Sequence, residues 1–175
     1  MEAAHAPLAL THPASEVVHA LKYGGRRGGA HFMAEMMIRG ARGAWLPPSG
    51  AVLVPIPTTP RRERRRGYNQ ARELARELGS LLMLPCLDLL ERVGSQESQI
   101  ALHPDERRAN VSGVFHLGSG AALPPVATPL VLVDDVLTTG ATAGAAAEAL
   151  RAGGLGPVKL WAFARTLPEP HARGA

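Results

Sequence analysis

The sequence is poor in cysteine and in aromatic side chains, and it has no long apolar run. Cys86 is the only cysteine among 175 residues, which excludes an intrachain disulfide and a cysteine-based zinc site. The seven histidines include no pair at i, i+4 spacing, and we expect no zinc. No apolar run approaches the roughly 20 residues of a membrane span, and the N-terminus lacks the pattern of a signal peptide. These absences predict a cytoplasmic protein without a membrane span.

Arginine supplies nearly all of the positive charge. The chain has 19 lysines and arginines against 15 acidic residues, and its only lysines are Lys22 and Lys159. A guanidinium group binds phosphate through two parallel hydrogen bonds, so this bias favours anionic ligands. A GC-rich coding sequence is the competing explanation for the overall bias, but it does not account for local clusters of arginine.

Apolar runs that suit strands alternate with segments that have the spacing of amphipathic helices. This alternation predicts βαβ units and a parallel sheet, and therefore an α/β fold. The predicted strands are residues 51–56, 86–92, 114–117, 130–133 and 158–164. The predicted helices begin near Ser15, Phe32, Asn69, Pro104 and Thr142, and Asn69 is a predicted N-cap.

Residues 130–142, LVLVDDVLTTGAT, combine two carboxylates with a turn that suits an anion. An apolar strand is predicted to end on Asp134 and Asp135, at the edge where open α/β sheets bind ligands. Carboxylates accept hydrogen bonds from sugar hydroxyls, whereas the backbone N–H groups of a Gly/Thr turn before a helix bind phosphate. We therefore predict a ribose at the carboxylates and its 5′-phosphate at the turn. The turn residues are Thr138, Thr139, Gly140, Ala141 and Thr142.

A second polar segment follows the strand predicted at residues 51–56. Thr58 and Thr59 form a short loop, and the arginines of the cationic turn after it are Arg61, Arg62, Arg64, Arg65 and Arg66. Pyrophosphate needs several charge-assisted donors, and this segment offers them. Two other interpretations stay open: a solvated charge run, and a single-stranded nucleic-acid contact made by Arg64, Arg65, Arg66 and Tyr68. Tyr68 fits equally well as a core anchor for the next helix.

Four blocks of the sequence resemble the ComF family, a competence-associated group of type I phosphoribosyltransferases. They are LKYGGRR (21–27), VPIPTTPRRERRRGYNQARELAREL (54–78), QIALHPDERRANVSGVF (99–115) and residues 130–165. The resemblance implies a three-layer α/β/α core with a mostly parallel sheet. It divides the chain into a hood-like helical segment at 1–50, the core at 51–167 and a disordered tail at 168–175. Relatives commonly carry a four-cysteine zinc ribbon before the first block, where this sequence has no cysteine.

The resemblance also implies roles for individual residues. The positions that match the family's binding loop for the pyrophosphate of phosphoribosyl pyrophosphate (PRPP) are Thr58, Thr59, Arg61 and Arg62. Residues 94–108 resemble the flexible loop that closes over substrate and excludes water. The predicted catalytic residues are Arg61, Gln99 and Arg107. Mg²⁺ is the implied cofactor, with no direct protein ligand, and it would reach Asp134 and Asp135 through PRPP and water.

The implied reaction is displacement of pyrophosphate from C1 of Mg-PRPP by an acceptor, in a protein of natural competence and DNA uptake. Several purine-salvage relatives have an aspartate where this sequence has Thr138, and threonine cannot act as a general base at neutral pH. The acceptor therefore stays open. The alternative is a non-catalytic PRPP sensor or an adaptor for single-stranded DNA. The expected partners are PRPP, single-stranded DNA and the competence machinery. The residues of the first block that could make contacts are Lys22, Tyr23, Arg26 and Arg27. They could contact the acceptor, a partner or only solvent, and the sequence leaves these alternatives open.

Overall fold

The computed structural model describes residues 1–23, 29–41, 45–93 and 113–167. Its main sheet consists of β1 (Ala3–His5), β2 (Leu8–Ala9), β3 (Val52–Pro55), β6 (Leu130–Leu137) and β7 (Val158–Arg165). All of its pairings are parallel, the strand order is β1-β7-β6-β3, and β2 pairs with β7 beyond β1. A separate antiparallel ribbon consists of β4 (Leu90–Arg92) and β5 (Phe115–Leu117).

β6 and β7 form the centre of the sheet because both contain nearly continuous apolar runs. Parallel strands covered on both faces need such runs rather than an alternation of polar and apolar residues. β6 is buried from Leu130 to Val133, and β7 is buried from Leu160 to Ala164. The strands predicted at 130–133 and 158–164 are confirmed, and so is the α/β class with a mostly parallel sheet.

Helices on both faces of the sheet produce three layers. They are α1 (Ala14–Tyr23), α2 (Gly29–Gly40), α3 (Pro60–Arg66), α4 (Gln70–Leu82) and α5 (Ala141–Ala152). Val131 and Val133 of β6 join a core with α1, α2 and α4, whereas Leu130 and Leu132 join a second core with α5. This alternation follows from the period of two in a strand. Within the four described ranges, no helix has the length and apolar character needed to cross a membrane.

The segment around the arginines shows how local sequence sets helix ends. Asn69 caps α4 as predicted, because its Oδ1 accepts a hydrogen bond from the backbone N–H of Ala71 at 3.1 Å. The sequence predicted a turn for the arginines, and this was wrong: they form the helix α3. Thr59 caps this helix, and Pro60 suits its first turn because proline has no N–H to leave unpaired there. Gly67 then ends it with φ 81°.

Other elements differ from the prediction in length or were missed. The strand predicted over residues 86–92 is confined to Leu90–Arg92, and Cys86 forms only an isolated bridge with Leu53. β1 and β2 were not predicted, so residues 1–50 supply two strands to the sheet in addition to α1 and α2. The helix predicted from Pro104 and the tail at 168–175 lie outside the described residues.

Candidate functional site

A cavity of about 530 Å³ lies where β3 ends beside β6. Pairing between these strands stops at Pro55 and Val133, whereas β6 continues along β7 to Leu137. The prediction that Asp134 and Asp135 end the strand was therefore wrong: they lie inside β6, where its neighbour on one side has stopped. Consecutive residues of a strand point to opposite faces, yet both aspartates line this cavity. The ending of β3 creates the space into which both carboxylates reach.

Residues from all three predicted ligand-binding groups line the cavity. They are Thr58, Arg62, Asp134, Asp135, Thr138 and Thr142. The loop after β3, the strand β6 and the turn before α5 therefore meet in one place, as parallel strands that end at a common edge require. Sequence reasoning did not assign several other lining residues to a ligand, among them Ser15, His19, Asn69, Gln70 and Arg92.

The two adjacent carboxylates share one local network. Asp135 is 8% exposed, and its backbone N–H donates to Asp134 Oδ1 at 2.8 Å. Burial, and then the neighbouring charge of Asp135, raise the pKa of Asp134 well above its ordinary range. Two carboxylates so close together do not both ionise freely in a shielded site. Asp134 therefore holds its proton more readily than an isolated aspartate.

Lys22 supplies a counter-charge to this pair. Its Nζ lies 2.6 Å from Asp135 Oδ2, and the two side chains are 24% and 11% exposed. Lys22 stands in the last turn of α1, so the N-terminal part of the chain reaches into the cavity. Of the contacts left open for this block, the structure places Lys22 against a cavity carboxylate. The side chain of Tyr23, together with Arg26 and Arg27, lies outside the description.

The turn before α5 has the geometry of an anion site. Gly140 is its N-cap with φ 80°, a conformation that disfavours any residue with a Cβ atom. Because Gly140 has no side chain, it cannot cap the N–H groups of the first turn of this 12-residue helix. Thr139 Oγ1 accepts from Ala141 N at a long 3.4 Å, while Thr138 and Thr142 line the cavity. The N–H groups of the first turn, the hydroxyls of Thr138 and Thr142 and the positive end of the helix together suit a phosphate group.

Arg92, at the end of β4, is a cavity residue that the sequence prediction missed. Its guanidinium carbon lies 5.2 Å from the centre of the Phe115 ring, and its Nε is buried without a hydrogen-bond partner in the described part of the chain. Burial, and then the charge of Arg62, lower the pKa of Arg92, while Asp134 opposes the shift. Two guanidinium groups that repel each other in one cavity are stabilised by an anion bound near both. The signal in the sequence was a cation two residues after the buried pair Leu89 and Leu90.

The RRGYNQ block fixes the cavity wall. Tyr68 is 6% exposed, and its hydroxyl donates to the carbonyl oxygen of Leu21 in α1. Asn69 Nδ2 donates to the carbonyl oxygen of Ile56 at 3.1 Å, which ties the start of α4 to the end of β3. The structure therefore matches the interpretation of Tyr68 as a core anchor, since its ring is not exposed for stacking on bases.

The remaining predicted residues lie at the rim, on the surface or outside the description. Thr59 Oγ1 accepts from Arg62 N at 3.3 Å and so serves α3 as its cap. Exposed residues of α3 are Arg61, Arg62, Arg64 and Arg65, whereas Arg66 is half-buried and lines the cavity. The predicted catalytic residues Gln99 and Arg107, and the whole of the predicted flexible loop at 94–108, lie outside the described residues.

Comparison with known proteins finds relatives along most of the chain. No family model matches it. Competence protein F of Haemophilus influenzae is 35% identical over 114 residues, which are 65% of this chain and 49% of that protein. DNA utilization protein YhgH of Salmonella typhimurium is 32% identical over 166 residues, which are 90% of this chain and 69% of that protein. The chain thus spans about half the length of the first relative and about two thirds of the second.

Similar solved structures include an adenine phosphoribosyltransferase. It shares 15% identity at a TM-score of 0.48, over 80% of this chain and 71% of that chain. The α/β class of the present chain does not depend on this likeness. It follows from the parallel sheet and from the helices on both faces.

Proposed function

Because this chain belongs to the ComF family of competence proteins, we propose that its cavity binds Mg-PRPP and that the protein transfers the phosphoribosyl group to an acceptor. Family membership makes it a phosphoribosyltransferase-like, competence-associated protein. One observation carries the finer proposal: a single cavity brings together Asp134, Asp135, Thr138, Thr142 and Arg62. The carboxylates offer acceptors for the ribose hydroxyls in the middle of PRPP. The turn before α5 and Arg62 offer donors for the phosphate at one end and the pyrophosphate at the other.

Each part of the ligand has a counterpart in the cavity. The ribose hydroxyls would donate to Asp134 and Asp135, and the 5′-phosphate would accept from the turn that starts α5. The pyrophosphate would lie between Arg62 and Arg92, whose mutual repulsion it relieves. This arrangement holds the sugar at both ends, so that its C1 atom is presented in a fixed position to an incoming group.

The proposed reaction forms a bond from the acceptor to C1 and breaks the bond from C1 to pyrophosphate, which leaves with the electron pair. Asp134 and Asp135 are oxygen donors of the kind that Mg²⁺ prefers, and they fit an ion carried in on PRPP with its own water ligands. When bound, that ion supplies charge neutralisation for the pyrophosphate. The arginines add donors for the growing negative charge of the leaving group. Thr138, which lines the cavity, cannot take a proton from the acceptor at neutral pH.

A binding assay and a release assay together test this proposal. We expect calorimetry to show binding of PRPP to the wild-type protein that weakens strongly when EDTA removes Mg²⁺. In a screen of nucleobases and single-stranded oligonucleotides, pyrophosphate release that requires one of them would identify the acceptor. Binding without release under any acceptor would instead support a PRPP sensor. Absence of PRPP binding in the presence of Mg²⁺ would refute the proposal as a whole.

The helix α3 favours a second candidate function, contact with single-stranded DNA. Its exposed arginines project from a helix whose only acid, Glu63, pairs with Arg72 of α4 at 2.8 Å. Glu63 therefore neutralises the charge of Arg72 in α4 and not that of an arginine in α3. A concentrated positive surface of this kind attracts the phosphates of a nucleic-acid strand.

We expect Arg64→Gln/Arg65→Gln to weaken binding of a labelled single-stranded oligonucleotide and to lower its salt dependence. Losing two phosphate contacts should reduce the slope of log K against log salt by about 1.4. Fluorescence anisotropy over a salt series measures both quantities. Arg39→Gln/Arg76→Gln is the control, because it removes equal charge from exposed arginines that lie outside α3. An equal effect of both double variants would refute a specific role of α3.

A further inference from the structure

Gln70 is a buried polar residue in the wall of the cavity. It is the first residue of α4, it is 4% exposed, and it lines the cavity. Its Nε2 is buried and has no hydrogen-bond partner in the described part of the chain. A buried donor without a partner costs free energy, so native structures satisfy nearly all such groups with protein, water or ligand.

Arg66 fixes which way the amide of Gln70 is turned. Arg66 donates from a terminal guanidinium nitrogen to Gln70 Oε1 at 2.8 Å. A guanidinium group has only donors, so the atom that faces it must be the amide oxygen. The NH₂ group of Gln70 is therefore the group left without a partner, and a flip of the amide would oppose donor to donor.

The surroundings indicate what kind of acceptor would satisfy this NH₂ group. Gln70 follows the tightly anchored Asn69, and the lining residues nearest to it in sequence include Arg66, Arg62 and Thr58. The side chains of Arg66, Arg62 and Thr58 offer hydrogen-bond donors or positive charge, whereas the cavity carboxylates Asp134 and Asp135 lie on β6. An anionic oxygen gains from both the charge and the hydrogen bond, and charge-assisted bonds are the stronger ones.

We propose that Gln70 is a ligand-specificity residue whose side-chain NH₂ donates to a phosphoryl oxygen at the pyrophosphate end of the ligand. This inference rests on the proposed function in naming PRPP as the whole ligand. The contact between Gln70 and a pyrophosphate group does not depend on that identity. Arg66 acts through Gln70 as a positioning residue, because its contact with Oε1 turns the NH₂ group away from itself. Gln70 then favours ligands that carry pyrophosphate over ribose 5-phosphate.

The variant Gln70→Glu tests this inference with little change in shape. It keeps an oxygen for Arg66 and replaces the NH₂ group by a carboxylate oxygen that repels a phosphoryl group. A negative side chain also suits the first turn of a helix. We expect affinity for Mg-PRPP and for Mg-pyrophosphate to fall by roughly 10- to 100-fold, as for loss of a hydrogen bond to a charged group. Affinity for ribose 5-phosphate should stay within about twofold, because on this assignment that ligand lacks the phosphoryl oxygen that Gln70 binds.

Calorimetry with these three ligands separates the possible failures. Gln70→Met is the second variant, because it removes the donor without adding charge and should show the same ligand selectivity at the lower end of that range. Unchanged pyrophosphate affinity in both variants would overturn the role of Gln70, and so would an equal loss for all three ligands. If the wild-type protein bound pyrophosphate but not PRPP, the proposed function would fail while the assignment of Gln70 could still be decided.

Discussion

Changing both Asp134 and Asp135 to asparagine is expected to abolish measurable binding of Mg-PRPP. Each hydrogen bond from a ligand hydroxyl to a carboxylate contributes roughly 1.5–3 kcal/mol. Asparagine replaces one acceptor oxygen by an NH₂ group, which opposes the hydroxyl donor. Loss of both bonds corresponds to a fall in affinity of about 10²- to 10⁴-fold. Isothermal titration calorimetry of the wild type and the double variant measures this difference directly.

The matched control is Asp88→Asn/Glu91→Gln. These residues are exposed, and they pair with Arg72 and His116. The control removes the same formal charge as the cavity double variant, so it corrects for the general attraction of a more positive protein to an anionic ligand. Retained affinity in Asp134→Asn/Asp135→Asn would show that PRPP, if bound, lies elsewhere.

The two single variants are expected to shift the free energy of unfolding in opposite directions. Asp134→Asn keeps the Oδ1 atom that accepts from Asp135 N, and it removes a carboxylate whose ionisation is opposed by burial and by its neighbour. We expect stabilisation by about 1 kcal/mol at neutral pH. Asp135→Asn removes the partner of the largely shielded Lys22 ammonium. It should destabilise the fold by roughly 1–3 kcal/mol, because an uncompensated charge then stays in the cavity.

The pH dependence of stability follows from the raised pKa of Asp134. The folded protein binds this proton more tightly than the unfolded chain, so stability falls as pH rises from the ordinary aspartate range through the raised pKa. Asp134→Asn should lack that fall. Thermal or urea unfolding of the wild type and both single variants, from acidic to neutral pH, tests the sign. If Asp134→Asn were less stable than the wild type at neutral pH, the burial of its charge would not be the dominant effect.

The parts of the fold that the sequence predicts well are those whose signals are local. The apolar runs of β6 and β7 and the cap at Asn69 depend on the residues themselves and on near neighbours. β1 and β2 have three and two residues, and they become strands because the edge of β7 supplies their partners. A pattern within so short a segment cannot carry that information.

The same distinction applies to the cavity. The aspartates and the Thr/Gly turn stand close together in the chain and carry their own chemical signal. The contact between Lys22 and Asp135 joins distant segments, and Arg92 becomes a cavity residue only because β4 brings it close enough for its charge to interact with that of Arg62. Gln70 shows its unpaired donor only once Arg66 has taken its oxygen. These features arise from packing, which the linear pattern of residues does not specify.

Because Lys22 pairs with Asp135, charge balance in the cavity depends on two segments that lie far apart in the chain. The sheet brings the acids, and the amino-terminal helix brings the ammonium group. Displacement of that helix would leave the carboxylate of Asp135 without its ammonium partner. The charge balance of the cavity is therefore a property of the assembled domain and not of residues 130–142 alone.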